Sequence, residues 1–292
     1  MMPAFKQFGW GGETEAARNW DLIGDSFAQF FIAAQTEPTQ GRTFRAWDLI
    51  RRHLGGDLPK IRQETGDCVA MSAKDLLGVI QILEIENGDD EEYHELFAPY
   101  LYAAGRCLIG GDRLKGGAGS FGSWQAKAVE KFGALRADLD GLPGYSGRLA
   151  DQWGDNGGNW KRWVDAGDDH RIGSTARIMS WNQLVDAVTN GYLCTMASSH
   201  GYHRRRGTWE HQMGIWGVSD DRRKPWVAIS NQWGNVHGLV TDFETDEAWP
   251  SGMLRVRPDD LDRLYRSGEI IAYSSFDGFP DRSDSWNDWS LL

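Results

Sequence analysis

Cys68, His211 and Asn231 are the residues of this sequence whose chemistry fits nucleophilic catalysis. A cysteine attacks a carbonyl as its thiolate, so it needs a base to take its proton, and the base needs a third group to orient its ring. Cys68 begins a stretch of helical periodicity, and a helix N-terminus supplies partial positive charge and backbone N–H groups that favour a thiolate. A lone cysteine on such a helix is more often a small buried hydrophobic residue, so the assignment depends on the other two side chains.

Two predicted strands would carry the histidine and the asparagine to one end of a sheet. His211 stands at the start of the strand-like run 212–218, and Asn231 follows directly after the run 226–230. Only a short connection separates the two runs, so they are predicted to be neighbouring strands. Trp233 would then pack over the asparagine amide.

The first half of the chain has helical patterning and the second half has strand patterning. Two helices joined near residues 37–39 are predicted within 14–54, a third begins at Cys68, and a fourth covers 123–132. After a further short helix, apolar and β-branched runs indicate strands at 192–196, 212–218, 226–230, 253–256 and 270–273. Residues 141–173 are poor in aliphatic side chains and are predicted to be a long irregular connection.

The composition excludes several classes of function. With 31 Lys and Arg against 42 Asp and Glu, the net charge is −11, so the chain lacks the positive field that supplies most nucleic-acid affinity. No run approaches the roughly 18 apolar residues that span a membrane, and three cysteines do not make a disulfide framework. We therefore expect no nucleic-acid and no membrane partner. Because no signal peptide is visible, we expect a cytoplasmic or virion-associated protein.

At these positions the chain resembles the papain-like cysteine peptidases. In that family a strand ends in Asn-Ser-Trp-Gly, and here residues 231–234 read Asn-Gln-Trp-Gly. The family's nucleophile opens a long central helix after a loop that contains glutamine, which matches the segment from Gln63 to Cys68. His211 follows Cys68 at roughly the 130–150 residues typical of such enzymes. The glycine-rich run 110–122 resembles the family's Gly-Gly loop.

The resemblance covers about residues 60–235 and implies an α+β, papain-like fold. In it, a helical half carrying the nucleophile packs against an antiparallel β half carrying the histidine and the asparagine. We expect an N-terminal helical extension over 1–54, a papain-like catalytic domain over 55–275 and a C-terminal tail over 276–292. No cofactor and no metal are implied. The expected partners are a peptide or protein substrate and, as a further option, a protein assembly partner.

The roles implied by the resemblance are those of a cysteine endopeptidase that hydrolyses peptide bonds through a thioester acyl-enzyme. Cys68 would be the nucleophile, His211 the base and Asn231 the group that holds the imidazole. The backbone N–H of Cys68 and the side-chain amide of Gln63 would stabilise the oxyanion. The substrate would contact the glycine-rich loop and a nearby tryptophan, through Gly117, Gly119, Ser120 and Trp233.

The sequence departs from the family pattern around the nucleophile. The Cys-Gly-Ser-Cys-Trp box is absent, and residues 66–70 read Gly-Asp-Cys-Val-Ala. If Asp67 pointed inward, its charge would raise the pKa of the thiol and oppose activation. No inhibitory propeptide is recognised in residues 1–50, which are short and lack its helical pattern.

Three other interpretations stay open at this point. Side chains that suit zinc lie within eighteen residues of one another, namely Cys194, His200, His203 and His211. A second interpretation is a hydrolase of cell-wall (peptidoglycan) peptides, carried by a phage particle or lytic apparatus. In the third, the papain-like fold is a catalytically silent structural or assembly component, for example of a virion.

Overall fold

The computed structural model describes residues 9–22, 41–89, 91–200, 208–234, 238–242, 246–267, 269–274 and 276. Its α-helices are α1 Glu13–Ala17, α2 Ala46–Leu54, α3 Cys68–Glu86, α4 Ala98–Ala103, α5 Gly122–Phe132, α6 Gly147–Gly154, α7 Trp181–Thr189 and α8 Leu264–Ser267. A π-helical turn, Ala104–Ile109, continues α4. The strands are β1 Thr43–Arg45, β2 Thr175–Arg177, β3 Cys194–His200, β4 Thr208–Ser219, β5 Trp226–Ser230, β6 Met253–Val256 and β7 Glu269–Tyr273.

Helix α3 forms the centre of the helical half. It is buried from Cys68 to Glu84, as expected for a helix that is apolar around its circumference rather than along one stripe. It packs against α2 and α4 on the helical side and against β4 on the sheet side. The N-terminus of α3, where Cys68 lies, is therefore held between the helices and the sheet.

The seven strands form one antiparallel sheet in the order β2-β7-β3-β4-β5-β6, with β1 paired to β4. Strands β4 and β5 are neighbours, and their register pairs Gly214 with Ser230. Because the two strands are antiparallel, the residues that follow Ser230 lie beside those that precede Gly214. This register brings the region after β5 next to His211.

The predicted architecture, a helical half packed against an antiparallel β half, is confirmed. The helices predicted from Cys68, over 123–132 and just before the strands are present as α3, α5 and α7. Each of the five predicted strand runs overlaps one of the strands β3 to β7.

Two regions differ from the predicted patterning. Phe44 belongs to β1 rather than to a helix, because its backbone pairs with Val218 of β4. The predicted helix junction at 37–39 lies outside the described residues. Within 141–173, α6 forms where the Ser146 hydroxyl accepts a backbone N–H of the first turn, so this stretch is more regular than its composition predicted.

Residues 43–54, assigned above to an N-terminal extension, contribute β1 and α2 to the same sheet and core. The division into extension, catalytic domain and tail stays a prediction, and residues 277–292 lie outside the described part of the chain. Among the described residues, no helix is long and apolar enough to cross a membrane. All three cysteines are buried thiols.

Candidate active site

Cys68 is the first residue of α3, and its side chain is fully buried. The backbone N–H of Gln212, on β4, donates to its Sγ at 3.4 Å. Burial raises the pKa of the Cys68 thiol to about 12, and backbone contacts from Gln212 and Gly9 counteract only part of this rise. In this structure the thiol is therefore protonated at neutral pH.

His211, the fourth residue of β4, meets Asn231, which directly follows β5, so the two lie together as the sequence predicted. The Nε2 atom of His211 lies 3.0 Å from the Oδ1 of Asn231. Trp233 stacks on the imidazole, with ring centroids 4.3 Å apart and planes inclined by 25°. The tryptophan is only 8% exposed, so it packs over the ring and shields the His211–Asn231 contact from water. Since Gln212 contacts the Cys68 sulfur, the histidine is next in sequence to a residue that touches the thiol.

Gln63 connects the loop before the nucleophile to the region that holds the histidine. Its Oε1 accepts a hydrogen bond of 3.0 Å from the indole N–H of Trp233, and its Nε2 donates to the carbonyl of Thr65 at 2.6 Å. Its backbone N–H donates to the carbonyl of Gln232. An amide nitrogen carries two hydrogens, so Nε2 can donate to an oxyanion while it keeps the Thr65 contact.

The glycine-rich loop reaches the cleft through Ser120. Its backbone N–H donates to the Gly9 carbonyl at 2.6 Å, and its carbonyl accepts from the N–H of Gly11 at 2.9 Å. Gly119 has a φ of 92°, and a Cβ there would lie 2.7 Å from the Gly9 carbonyl oxygen, so the close approach requires glycine. The Gly117 carbonyl instead accepts from a buried side chain, that of Arg106.

Arg106, which the sequence analysis missed, fixes the shape of this loop. Its buried guanidinium donates to the carbonyls of Gly119 and Gly117, and also to those of Leu114 and Gly154. It also pairs with the carboxylate of Asp155 at 2.9 Å. The available signal was an arginine inside the otherwise apolar run 104–109. A guanidinium, which has five N–H donors, suits a loop that turns three of its carbonyls toward one side chain.

Replacing Arg106 with methionine should lower the free energy of unfolding by about 3 kcal/mol or more. The change removes the guanidinium donors of several carbonyls and of Asp155. Urea unfolding followed by circular dichroism measures the loss. Arg113→Met is the matched control, because Arg113 lies on the same loop but is exposed, and it should cost less than about 1 kcal/mol. Equal losses for the two variants would contradict the role given to Arg106.

A short segment near the N-terminus, Gly9–Gly11, occupies the cleft. The N–H of Trp10 donates to the carbonyl of Glu210, the residue before His211, at 2.9 Å. Gly9 lies so close to Gly66 that a Cβ on it would overlap the Gly66 carbonyl oxygen. The segment therefore touches the residues that flank both the nucleophile and the histidine.

The sequence analysis gave Gly9–Gly11 no place in the cleft, whereas in the structure Gly9 contacts Ser120 and Cys68. The physical reason for the miss is the form of the segment. Three extended residues that pair with a loop through their backbones leave no periodic pattern in the sequence.

Asp67 precedes the nucleophile and faces inward. Burial raises the pKa of its carboxyl to about 7, although the Tyr145 hydroxyl donates to Oδ2 at 3.1 Å. The charge on Asp67 in turn contributes to the raised pKa of Cys68. This is the effect that the sequence analysis attached to an inward-facing aspartate.

Asp67→Asn should remove a pH-dependent loss of stability. The Asp67 carboxyl is protonated in both states below about pH 4, whereas between about pH 4 and 7 it ionises only in the unfolded chain. The free energy of unfolding therefore falls by up to about 4 kcal/mol as pH rises through this window, and it then levels off. Urea unfolding at pH 4 and pH 8 should show the difference for the natural chain relative to the variant. Asp140→Asn, at an exposed position, is the control. If the free energy of unfolding of Asp67→Asn changed between pH 4 and pH 8 as much as that of the natural chain, the assignment would be refuted.

The zinc interpretation finds no support in the register of the sheet. Cys194 pairs with Ile215, whereas His211 pairs with Ser198, so the two are four positions apart along the strands, about 13 Å. His203 lies outside the described residues. Within the described part of the chain, no group of three or more His, Cys, Asp and Glu side chains is placed to hold a metal ion.

No protein-family model matches the sequence, and no curated protein matches it. Several solved structures are similar in fold. Xylellain, a cysteine protease from Xylella fastidiosa, matches with a TM-score of 0.55 at 11% identity, over 94% of this chain and 94% of that one. Procathepsin L 3 from the larval midgut of Tenebrio molitor matches with a TM-score of 0.54 at 12% identity, over 82% and 71%.

The Amb a 11 cysteine protease of ragweed pollen, in its proform, gives a TM-score of 0.55 at 12% identity, over 91% of this chain and 76% of that one. Identities this low establish the fold alone. This chain has the fold of the papain-like cysteine proteases.

Proposed function

We propose that this chain is a cysteine peptidase that is latent because its own N-terminal segment covers the cleft. The observation that carries the proposal is the His211–Asn231 hydrogen bond under the Trp233 ring, next to a thiol at a helix N-terminus. A silent structural protein has no need to orient one imidazole nitrogen with a buried amide and to shield that contact with an indole.

The chemistry would begin with the proton on the thiol. Asn231 engages Nε2 of His211, so the other ring nitrogen, Nδ1, would take the proton from Cys68. The thiolate then attacks the carbonyl carbon of a peptide bond, and the carbonyl oxygen becomes an oxyanion. The oxyanion would accept from the backbone N–H of Cys68 and from Nε2 of Gln63, each worth about 3 kcal/mol.

The second half of the reaction regenerates the thiol. The tetrahedral intermediate collapses as the C–N bond breaks, and the protonated His211 gives its proton to the leaving amine. A thioester between the acyl group and Cys68 remains. Water then attacks the thioester carbonyl with His211 as base, which releases the carboxylic acid and the thiol.

Latency is supported by what covers the sulfur. Gly9–Gly11 pairs with Ser120 and with the Glu210 carbonyl, the backbone groups that an extended substrate would use. Two of the similar solved structures, procathepsin L 3 and Amb a 11, are of proforms. A substrate would therefore have to displace this segment before it reached Cys68.

The test measures hydrolysis of casein and of peptidoglycan by three full-length proteins: the natural chain, Gly9→Ala, and Gly9→Ala combined with Cys68→Ala. The first alanine is expected to expel the segment, since its Cβ has no space beside Gly66. We expect casein cleavage that is strongest in Gly9→Ala and absent in the double variant. Cleavage of peptidoglycan alone would support the cell-wall hydrolase, and no thiol-dependent cleavage of either would support a silent assembly component.

A further inference from the structure

Three polar side chains lie on one face of the buried helix α3. Cys68, Ser72 and Asp75 follow the spacing i, i+4 and i+7, which brings side chains to the same side of a helix. All three residues are at most 1% exposed. The proposed function uses Cys68 and gives Asp75 no role.

Each of these side chains contacts the sheet half of the molecule. The Cys68 Sγ accepts from the backbone N–H of Gln212 at 3.4 Å, and the Ser72 hydroxyl accepts from the side-chain amide of the same glutamine at 2.9 Å. The third contact joins a different segment, because Nε2 of Gln232 donates to Oδ2 of Asp75 at 3.3 Å. One face of α3 is therefore joined to β4 and, about 10 Å further along the helix, to the segment that follows β5.

The segment that follows β5 makes the contacts on which the proposed mechanism depends. Asn231 contacts the imidazole of His211, and Trp233 stacks on the same ring. Between these two residues, the backbone carbonyl of Gln232 accepts from the N–H of Gln63 at 3.0 Å. The position of Gln232 therefore affects both the base and the proposed oxyanion donor.

The segment 231–233 is held from two sides. On the sheet side, the backbone N–H of Asn231 donates to the carbonyl of Gly252 at 3.0 Å. On the helix side, the Gln232 amide donates to Asp75, and both residues are 1% exposed. A hydrogen bond to a carboxylate is stronger than one between neutral groups, and exclusion from water strengthens it further. This contact therefore ties the segment to α3.

The Asp75 carboxylate is itself held in place. Its Oδ1 lies 3.2 Å from Nζ of Lys74, and the same ammonium group contacts Glu95 at 3.1 Å. Lys74 is buried as well, and a buried charge is retained only beside a partner of opposite sign. Asp75 therefore offers Gln232 a fixed acceptor on the same helix that carries Cys68.

On the basis of the proposed function, we propose that Asp75 is a positioning residue that sets the place of the base relative to the nucleophile. Helix α3 carries Cys68 and Asp75 as one unit, and Asp75 fixes Gln232, whose neighbours hold the ring of His211. A displacement of about 1 Å between reacting groups can cost about 100-fold in rate. Because Asp75 is buried beneath the segment, it does not contact the substrate, and its loss should change kcat rather than KM.

The experiment compares variants of the full-length Gly9→Ala protein on an internally quenched peptide that contains a casein bond cleaved by this protein. Asp75→Val removes the carboxylate, and it should lower kcat by about 10–100-fold while KM stays within about threefold. Asp75→Asn keeps an acceptor oxygen for Gln232, so it should restore kcat to within about fivefold of the background. Gln81→Met is the matched control, because Gln81 is a buried polar residue of α3 that bonds instead to the backbone of His94. Its kcat should stay within about twofold of the background.

The pH dependence of iodoacetamide labelling gives a second readout, which a loss of stability alone does not move. An imidazolium beside Cys68 favours the thiolate at low pH, so displacement of His211 should raise the pH of half-maximal labelling. We expect a rise of about one pH unit or more for Asp75→Val and no rise for Asp75→Asn or Gln81→Met. Labelling requires no peptidase activity, so it tests the role of Asp75 independently of cleavage.

The outcomes separate this proposal from the proposed function. If the Gly9→Ala protein cleaves the peptide and Asp75→Val keeps its kcat within about threefold, the assignment of Asp75 is overturned and the peptidase assignment stands. The same conclusion follows if Gln81→Met loses as much kcat as Asp75→Val. If the Gly9→Ala protein shows no thiol-dependent cleavage, the peptidase assignment is overturned. The labelling profile then decides the role of Asp75: the expected rise supports it, and an unchanged profile overturns it.

Circular dichroism of each variant reports folding. If Asp75→Val does not fold, Gln232→Met removes the other partner of the contact at similar volume. It should give the same fall in kcat and the same rise in the pH of half-maximal labelling. A folded Gln232→Met protein in which neither quantity changes would overturn the role given to Asp75.

Discussion

Gly9→Ala should raise the rate at which iodoacetamide labels Cys68 at pH 7 by about 100-fold or more. The new Cβ would overlap the Gly66 carbonyl oxygen, which is backbone and has no rotamer by which to move away. We therefore expect the segment to leave the cleft. Burial is the largest cause of the raised thiol pKa, and each unit by which exposure lowers that pKa gives about tenfold more thiolate at neutral pH.

Two alanine variants serve as controls for this result. Thr14→Ala changes an exposed position of α1, just after the segment. Gly56→Ala adds a Cβ where there is no atom within 4 Å. Both should label at the rate of the natural chain. Mass spectrometry of tryptic peptides assigns the label to Cys68, Cys107 or Cys194. If Gly9→Ala labelled no faster than the controls, the segment would not be what protects the thiol.

His211→Ala in the Gly9→Ala background should lower kcat for a peptide substrate that the background protein cleaves by on the order of 10³–10⁴-fold. The variant removes the proposed base and also leaves Asn231 and Trp233 without the ring that they hold. Asn231→Ala keeps His211 as the base but removes the contact to its Nε2, so the fall in kcat should be smaller than for His211→Ala. Steady-state kinetics with one peptide across pH 5–9 measures both.

The control for the histidine variant is His53→Ala. His53 lies on α2, where its Nδ1 contacts Glu86 at 3.2 Å, at the end of α3 opposite to Cys68. We expect its kcat to stay within about twofold of the background. A His211→Ala protein that folds and keeps a tenth of the activity would remove the imidazole from the mechanism.

The helix that begins at Cys68 and the strands around His211 and Asn231 could be predicted because their patterns are local. Helix α3 is a continuous apolar stretch, and β4 and β5 are short runs with a short connection. Adjacent strands fix which ends meet, so the His211–Asn231 contact followed from the predicted pairing. Here local patterning and the tertiary fold agree.

The remaining features depend on contacts between residues far apart in the chain. Trp10 meets Glu269 across most of the sequence, and β1 pairs with β4 although Phe44 lies in a helical pattern. Arg106 acts through its side chain on carbonyls of a loop, and backbone acceptors have no sequence signature. Pairings of this kind are decided by tertiary packing, which overrides local propensity.

The hydrogen bonds of Arg106 have a consequence for the conditions in which this protein can operate. A nucleophilic thiol must be kept reduced, and reductants that protect it would also break any disulfide on which the fold depended. Here the loop along the cleft is anchored by a guanidinium, and all three cysteines are free thiols. Dithiothreitol or a glutathione-rich medium should therefore preserve the reactive sulfur and leave the architecture untouched.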